Sequence, residues 1–130
     1  MSAKIIFLDA STVDFGDIDF TPISALGEFK SFPVTSAAEA AARCQDADIV
    51  ITNKVVFTKE LISHCPKLKM IAAAATGYNH IDINEAGSRN ITVANVPGYS
   101  TVSVAQLTLS FMLALSTNLI KYNTACHDDS

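Results

Sequence analysis

The strongest constraint on the fold of this chain is a long stretch without charge towards its carboxyl-terminal end. From Asn90 to Ile120 no residue is charged, over 31 consecutive positions. A membrane-spanning helix needs about 20 mostly apolar residues. This stretch is broken by Pro97 and Gly98, and polar side chains interrupt the residues after them. We therefore predict that this stretch forms a buried helix and does not span a membrane, and that the protein has no membrane partner.

The second part of this stretch is predicted to form one long helix from Ser100 to Ile120, followed by a mobile tail at 122–130. The apolar residues of this helix cover nearly its whole circumference. A helix that is apolar on all sides must also be buried on all sides. One sheet can cover only one side of this helix. The sequence therefore predicts that a second domain packs against the other side, and that this domain is not part of the chain.

Before this helix, short apolar runs alternate with helical segments. Strands are predicted at 4–8, 28–32, 48–52, 68–74 and 91–94, and helices at 21–26, 36–43, 58–65 and 82–88. The helices have candidate N-caps at Thr21, Thr35 or Ser36, Thr58 and Asp82. Such alternation with short connections predicts an α/β fold, a parallel sheet with helices on both faces. Right-handed crossovers favour a doubly wound five-stranded order such as 2-1-3-4-5.

Composition excludes several classes of function. The net charge is −4 and no basic run is present, which argues against a nucleic-acid partner. The three cysteines are an odd set without a CxxC pair, and no signal peptide precedes them, so they are interpreted as reduced thiols of a cytoplasmic protein. The histidines and cysteines have no zinc spacing, so no metal site is predicted. Neither GxGxxG nor a Walker loop occurs.

The most informative candidate site follows the fourth predicted strand. Ligands of open parallel sheets collect beyond the carboxyl ends of the strands. There, bulky residues give way to four alanines at 72–75, then Thr76 and Gly77. Small side chains uncover backbone N–H groups, and a glycine at positive φ turns two of them towards one point, which suits a carboxylate or phosphate. The alternative is a tight turn between strand and helix that binds nothing.

Polar residues at neighbouring strand ends are further candidates. Asn53 and Lys54 follow the third strand, and Lys54 could supply positive charge to the same anion; the alternative is a solvated loop lysine. His80 has no Ser, Cys or Asp partner at triad spacing, so a turn-capping role is the simpler interpretation.

At these residues the chain resembles a known family. The run LKMIAAAATGYNHIDINEAGSRNITVANVPGYSTVSVAQLTLSFMLAL is similar to the signature of the D-isomer-specific 2-hydroxyacid dehydrogenases. The segment at 53–55 and Gln106 look like the glycerate dehydrogenase, or hydroxypyruvate reductase, branch, although Gln106 departs from the glutamate common elsewhere in the family.

The resemblance implies an organisation and a set of roles. Residues 1–99 would be the amino-terminal part of a flavodoxin-like substrate domain, and residues 100–121 a helix crossing to a Rossmann domain absent from this chain. The family's catalytic arginine, glutamate and histidine would lie in that absent part. The backbone amides of Thr76 and Gly77 match the carboxylate-binding loop, Asn53 and Lys54 match the substrate-side loop, and Thr101 matches the position at the nicotinamide edge. His80 matches no catalytic histidine.

The expected function is the substrate-binding part of an oxidoreductase that uses NAD or NADP. Its substrates would be 2-keto and 2-hydroxy acids, with hydroxypyruvate or glyoxylate as the oxidised partner, and it would act as a cytoplasmic homodimer. Alone, the chain would be inactive. Two alternatives stay open, a non-enzymatic corepressor-like relative and a free-standing flavodoxin-like module that binds a small anion or a protein.

Overall fold

The chain divides into two compact units, Met1–Pro97 and Gly98–Ser130, and the computed structural model describes residues 2–127. The boundary lies close to the one drawn from the sequence between residues 99 and 100. The roles assigned to the two segments stay predictions, and each unit is described by itself.

The first unit is built on a five-stranded parallel sheet. Its strands are β1 (Ala3–Phe7), β2 (Gly27–Ser31), β3 (Ile49–Thr52), β4 (Met70–Ala73) and β5 (Thr92–Ala94). Their order across the sheet is β2-β1-β3-β4-β5, with every neighbouring pair parallel. The predicted α/β fold and its doubly wound order are therefore confirmed, and β2 is an edge strand as its ending at a proline indicated.

Four short helices connect the strands, namely α1 (Thr21–Ser24), α2 (Ala37–Cys44), α3 (Lys59–Ser63) and α4 (Ile83–Ser88). Side chains that accept amide hydrogens fix three of their starts. Ser36 begins α2 in a capping box with Glu39, Thr58 Oγ1 accepts from the amide of Leu61, and Asp82 Oδ1 accepts from the amide of Glu85.

The predicted cap at Thr21 is wrong. Phe20 is the N-cap of α1, and the Thr21 amide donates to the Asp19 carboxylate at 2.8 Å. The acidic side chain two residues earlier satisfies the amide at the start of the helix, so Thr21 is already its first residue.

The core of this unit lies on both faces of the sheet, as parallel sheets require. Its largest fully buried side chains include Val50 and Ile71 from the central strands and Leu8 directly after β1, with Phe57 and Ile62 from the segment between β3 and β4. This packing holds the carboxyl ends of β1, β3 and β4 side by side, where the candidate residues are found.

The second unit contains two helices in place of the single one predicted. Helix α5 (Thr101–Ser116) is separated from α6 (Leu119–His127) by a bend of 63°. Asn118 adopts a φ of 52°, a left-handed value that is incompatible with a continuous α-helix. The hydroxyls of Ser116 and Thr117 both donate to the carbonyl of Leu113, the kind of side-chain bond that competes with the helical ladder.

The side chains of the second unit are exposed at nearly every described position, with Ser100 and Ala114 half-buried. None of the residues from Thr101 to His127 is buried, and Leu107, Phe111 and Leu115 are 55%, 60% and 76% exposed. The two helices of this unit therefore do not supply to each other the burial that the sequence predicts for this apolar segment. Residues 122–127, predicted as part of a mobile tail, belong to α6, and the rest of that segment lies outside the described residues.

No single helix among the described residues is long and apolar enough to cross a bilayer. Helices α5 and α6 pass that test of length and composition only as a pair, across their 63° bend.

Candidate functional site

A cavity of about 290 Å³ lies beyond the carboxyl ends of β3 and β4. Its lining consists of Asn53, Lys54, Ala75, Gly77, Asn79 and His80. Three of the predicted binding residues, Asn53, Lys54 and Gly77, therefore border one space. Their convergence follows from the topology, because β3 and β4 are adjacent parallel strands whose carboxyl ends meet at the same edge.

The loop after β3 is organised by Asp9, a residue that was not among the predicted site residues. Asp9, which is 3% exposed, follows β1 and points its carboxylate at this loop. It accepts hydrogen bonds from the amides of Asn53 at 2.9 Å, Lys54 at 2.6 Å and Val55 at 3.2 Å, and from the hydroxyl of Thr52 at 3.2 Å. The carboxylate thus accepts from three consecutive backbone donors, of which those of Asn53 and Lys54 would otherwise be left unpaired next to the core.

The two loops that flank the cavity are joined to each other. The amide of Phe57 donates to the carbonyl of His80 at 2.7 Å, and the amide of Asp82 donates to the carbonyl of Phe57 at 2.9 Å. These bonds make a parallel bridge between Phe57 and Ile81, both of which are buried. The bridge extends the pairing of β3 and β4 past the cavity.

Thr76 is not part of the cavity lining, although it neighbours Gly77. Its hydroxyl donates to the carbonyl of Val96 at 3.2 Å, and its own carbonyl accepts from the side-chain amide of Asn95 at 2.7 Å. The segment after β5 therefore holds Thr76 in place. Any role of the Thr76 amide in anion binding stays a prediction.

Gly77 does not have the backbone conformation that the sequence argument assigned to it. The glycines at positive φ are Gly16 and Gly98, and Gly77 is not among them. A Cβ built on Gly77 would meet no atom within 4 Å. The turn is therefore made without a left-handed residue. Because Gly77 has no side chain, the space beside the cavity at this position is open.

His80 contributes a polar edge that has no partner. Among the described residues, its Nε2 is buried without a hydrogen bond. Burial lowers the pKa of His80 below the usual value of histidine, with the nearby Asp9 opposing and Lys54 reinforcing this effect. The ring is therefore held neutral near pH 7. The expectation that His80 merely caps a turn does not account for this orphaned nitrogen.

Thr101, the predicted contact of the nicotinamide edge, lies in the second unit. It is the first residue of α5 and is exposed, after Ser100, whose side chain makes no capping bond. Gly98, at a φ of 75°, precedes it in the turn into the helix. Within residues 2–127 no three His, Cys, Asp or Glu side chains are grouped to hold a metal ion.

Comparison with known proteins gives one consistent family. The model of the D-isomer specific 2-hydroxyacid dehydrogenase catalytic domain matches residues 10–126. The hydroxypyruvate reductase of Blautia hydrogenotrophica is 36% identical over 128 residues, covering 96% of this chain and 40% of that protein. The glycerate dehydrogenase of Methylorubrum extorquens is 32% identical, covering 94% of this chain and 38% of that protein. The chain thus spans about 40% of the length of these relatives.

Solved structures agree with this assignment. An acyclic imino acid reductase in complex with NADPH and D-Arg superposes with a TM-score of 0.85 at 26% identity, over 98% of this chain and 41% of that chain. The D-lactate dehydrogenase of Aquifex aeolicus, complexed with NAD and lactic acid, gives a TM-score of 0.77 at 25% identity, over 97% of this chain and 38% of that chain. The sequence, the sheet order and these matches agree, and the chain belongs to the D-isomer-specific 2-hydroxyacid dehydrogenase family.

Proposed function

We propose that this chain is the substrate-binding part of an NAD(P)-dependent 2-hydroxyacid dehydrogenase that reduces hydroxypyruvate or glyoxylate. The observation that carries the proposal is the cavity of about 290 Å³ bordered by Asn53, Lys54 and Gly77, in a member of this family. Its volume is at the lower end of ligand pockets, which suits an acid of two or three carbons.

The cavity offers groups that match a small 2-keto acid. The Lys54 ammonium supplies a positive charge for the substrate carboxylate, and Asn53 supplies an amide that can donate to the same group. The open face of Gly77 lets an anion approach the backbone amides of Thr76 and Gly77. The work of this half of the protein is to hold and orient the carboxylate.

The cofactor, when bound, would supply the hydride that reduces the 2-keto carbon. Of the residues in this chain, only the exposed Thr101 is proposed to meet its nicotinamide edge. The relatives bind NADPH in one solved structure and NAD in another, which supports either cofactor for this protein. Our proposal of hydroxypyruvate rests on the names of the two curated relatives, and that of glyoxylate rests on the glyoxylate reductase of Thermococcus litoralis, which is 43% identical over 72 residues.

We further propose a homodimer in the cytoplasm. The exposed apolar surface of α5 supports association, because contiguous surfaces of this kind mark interaction sites. A reducing compartment is supported by the buried free thiols of Cys44 and Cys65. The Cys44 thiol donates a hydrogen bond to Cys65, and this bond together with burial raises the pKa of Cys44 and keeps its thiol protonated and unreactive.

The proposal is tested by steady-state kinetics of the full-length enzyme with hydroxypyruvate, glyoxylate and either cofactor. Lys54→Ala should raise the KM for the acid about fivefold, because a surface cation contributes up to about 1 kcal/mol to an anion contact. Lys59→Ala is the matched control, since Lys59 is an exposed lysine of the same unit that pairs with Glu85 rather than lining the cavity. An unchanged KM in Lys54→Ala at low salt would remove Lys54 from the site.

The same assays separate the alternatives. The 130-residue chain alone should show no turnover, and any turnover by a pure sample would contradict the proposed division of labour. A full-length protein that binds 2-keto acids and a cofactor but reduces none of them would be the corepressor-like relative instead.

A further inference from the structure

We propose that Asp9 is a positioning residue of the substrate site, which fixes the loop at 53–55 so that Asn53 and Lys54 present their side chains to the carboxylate. This inference rests on the proposed function, which it extends to a residue outside the cavity lining. Asp9 does not touch the substrate in this arrangement, and it acts through the loop.

The geometry around Asp9 is concentrated on one oxygen. Oδ2 accepts from the Thr52 hydroxyl at 3.2 Å and from the amides of Asn53 at 3.1 Å, Lys54 at 2.6 Å and Val55 at 3.2 Å, while Oδ1 accepts only from the amide of Asn53, at 2.9 Å. Thr52 adds a second link, because its Oγ1 accepts from the amide of Val55 at 3.1 Å. No lysine or arginine in the described part of the chain forms an ion pair with Asp9. Its charge is therefore stabilised by this loop itself.

This arrangement decides what the loop can offer a ligand. Three consecutive amides are turned towards Asp9, so none of them is free to bind an anion in the cavity. The loop can contribute only its side chains, and Asn53 and Lys54 both border the cavity. Because three successive backbone amides are held by Asp9, the Cα positions of Asn53 and Lys54 are fixed.

A purely structural role is the competing explanation. An unpaired donor next to the core is costly, and removing the carboxylate would leave the amides of Asn53 and Lys54 without a partner, although Val55 would keep its bond to Thr52 Oγ1. Loss of stability alone therefore does not identify a positioning role. The discriminating observation is whether the effect of Asp9 on substrate binding passes through Lys54.

The test is a double-mutant cycle in the full-length enzyme with Asp9→Asn and Lys54→Ala. Asparagine has nearly the same volume as aspartate, and its side-chain carbonyl oxygen can take the place of Oδ2, which accepts four hydrogen bonds. This substitution therefore perturbs the fold least. We expect Asp9→Asn to raise the KM for hydroxypyruvate about tenfold with little change in kcat, as expected for a loss of uniform binding. In the Lys54→Ala background the same substitution should raise KM only about twofold, the share left to Asn53, whereas independent residues would again give about tenfold.

Thr35→Val is the matched control for stability. Its buried hydroxyl donates to the carbonyl of Leu8, the residue before Asp9, and it does not border this cavity. It should lower Tm without changing KM. If Asp9→Asn likewise lowers Tm and leaves KM unchanged, or if its effect on KM is additive with Lys54→Ala, the inference is overturned.

Two further measurements keep the inference testable. If Asp9→Asn does not fold, Thr52→Val removes one donor and the link to Val55, and should raise KM about threefold; an unchanged KM in the folded variant refutes the inference. If the wild-type enzyme reduces no 2-keto acid, the proposed function fails by itself. Amide hydrogen exchange at 53–55 in the 130-residue chain then still decides on Asp9, since exchange that is no faster in Asp9→Asn shows that it does not hold the loop.

Discussion

Replacing Gly77 with alanine should make the protein more stable and its substrate binding weaker. Gly77 lacks a positive φ, and an added Cβ would meet no atom within 4 Å. A glycine-to-alanine change at such a position stabilises a protein by about 0.4–1 kcal/mol, because it restricts the unfolded chain. For a domain of this size that corresponds to a rise in Tm of roughly 1–6 °C.

The opposite effect on binding arises because Gly77 borders the cavity. A methyl group there occupies space beside the backbone amides that we propose to hold the substrate carboxylate. The KM for hydroxypyruvate should rise about tenfold, the equivalent of roughly 1.4 kcal/mol. Gly77→Val should raise KM further, because the larger side chain covers more of the same space.

Thermal unfolding of the 130-residue chain measures the stability, steady-state kinetics of the full-length enzyme measure the binding, and Gly27→Ala provides the control for both. A Cβ on Gly27 would collide with the carbonyl oxygen of Ala3 and lie 3.3 Å from Ile5 Cδ1, so this variant should be destabilised by about 1–3 kcal/mol with KM unchanged. A Gly77→Ala variant that loses stability would refute the conformational argument. A folded one with unchanged KM would show that Gly77 is only a turn residue.

Three further outcomes are expected. The 130-residue chain should associate at micromolar concentration through the exposed apolar side chains of α5. The double variant Leu107→Glu/Phe111→Glu should be a 13.8 kDa monomer in light scattering, and a monomeric wild-type chain would contradict the expectation. Because burial lowers the pKa of His80, the unfolded state binds more protons, so stability should fall as pH drops through about 6.5 and level off below the folded pKa. His80→Asn should flatten this dependence in urea titrations at several pH values. Thr58→Ala should cost about 1 kcal/mol through its lost N-cap and leave KM unchanged.

Most of the fold was predictable because its signals are local. The strand at Ile49–Thr52 is a continuous apolar run, and the helix starts at Thr58 and Asp82 have side chains whose capping role depends only on their nearest neighbours. The order of the strands followed from the handedness of their crossovers, which is a general property of parallel sheets. The convergence of Asn53, Lys54 and Gly77 then follows from that order.

The features that sequence reasoning missed depend on contacts between distant residues or on weak local preferences. Asp9 looks like any acidic turn residue, and its role arises only because β1 lies next to β3 and brings it to residues 44 to 46 positions away. The one available signal was an acid directly after a buried apolar strand. The break at Asn118 is a left-handed residue inside an apolar pattern, where periodicity favours continuing the helix. At Gly77, a permissive residue was taken as evidence for a conformation that it does not adopt.

The bridge between Phe57 and Ile81 has a consequence for how this site can change its substrate. It ties the two walls of the cavity together through backbone hydrogen bonds and a buried phenylalanine, so moving the walls apart to admit an acid larger than the proposed substrate would require these bonds to break. The width of the cavity is then set by the backbone of the fold, and a change of specificity requires substitution of the side chains that line the cavity. Positions 54 and 79 offer that freedom, because neither side chain takes part in the bridge, and substitutions there should alter substrate range at little cost in stability.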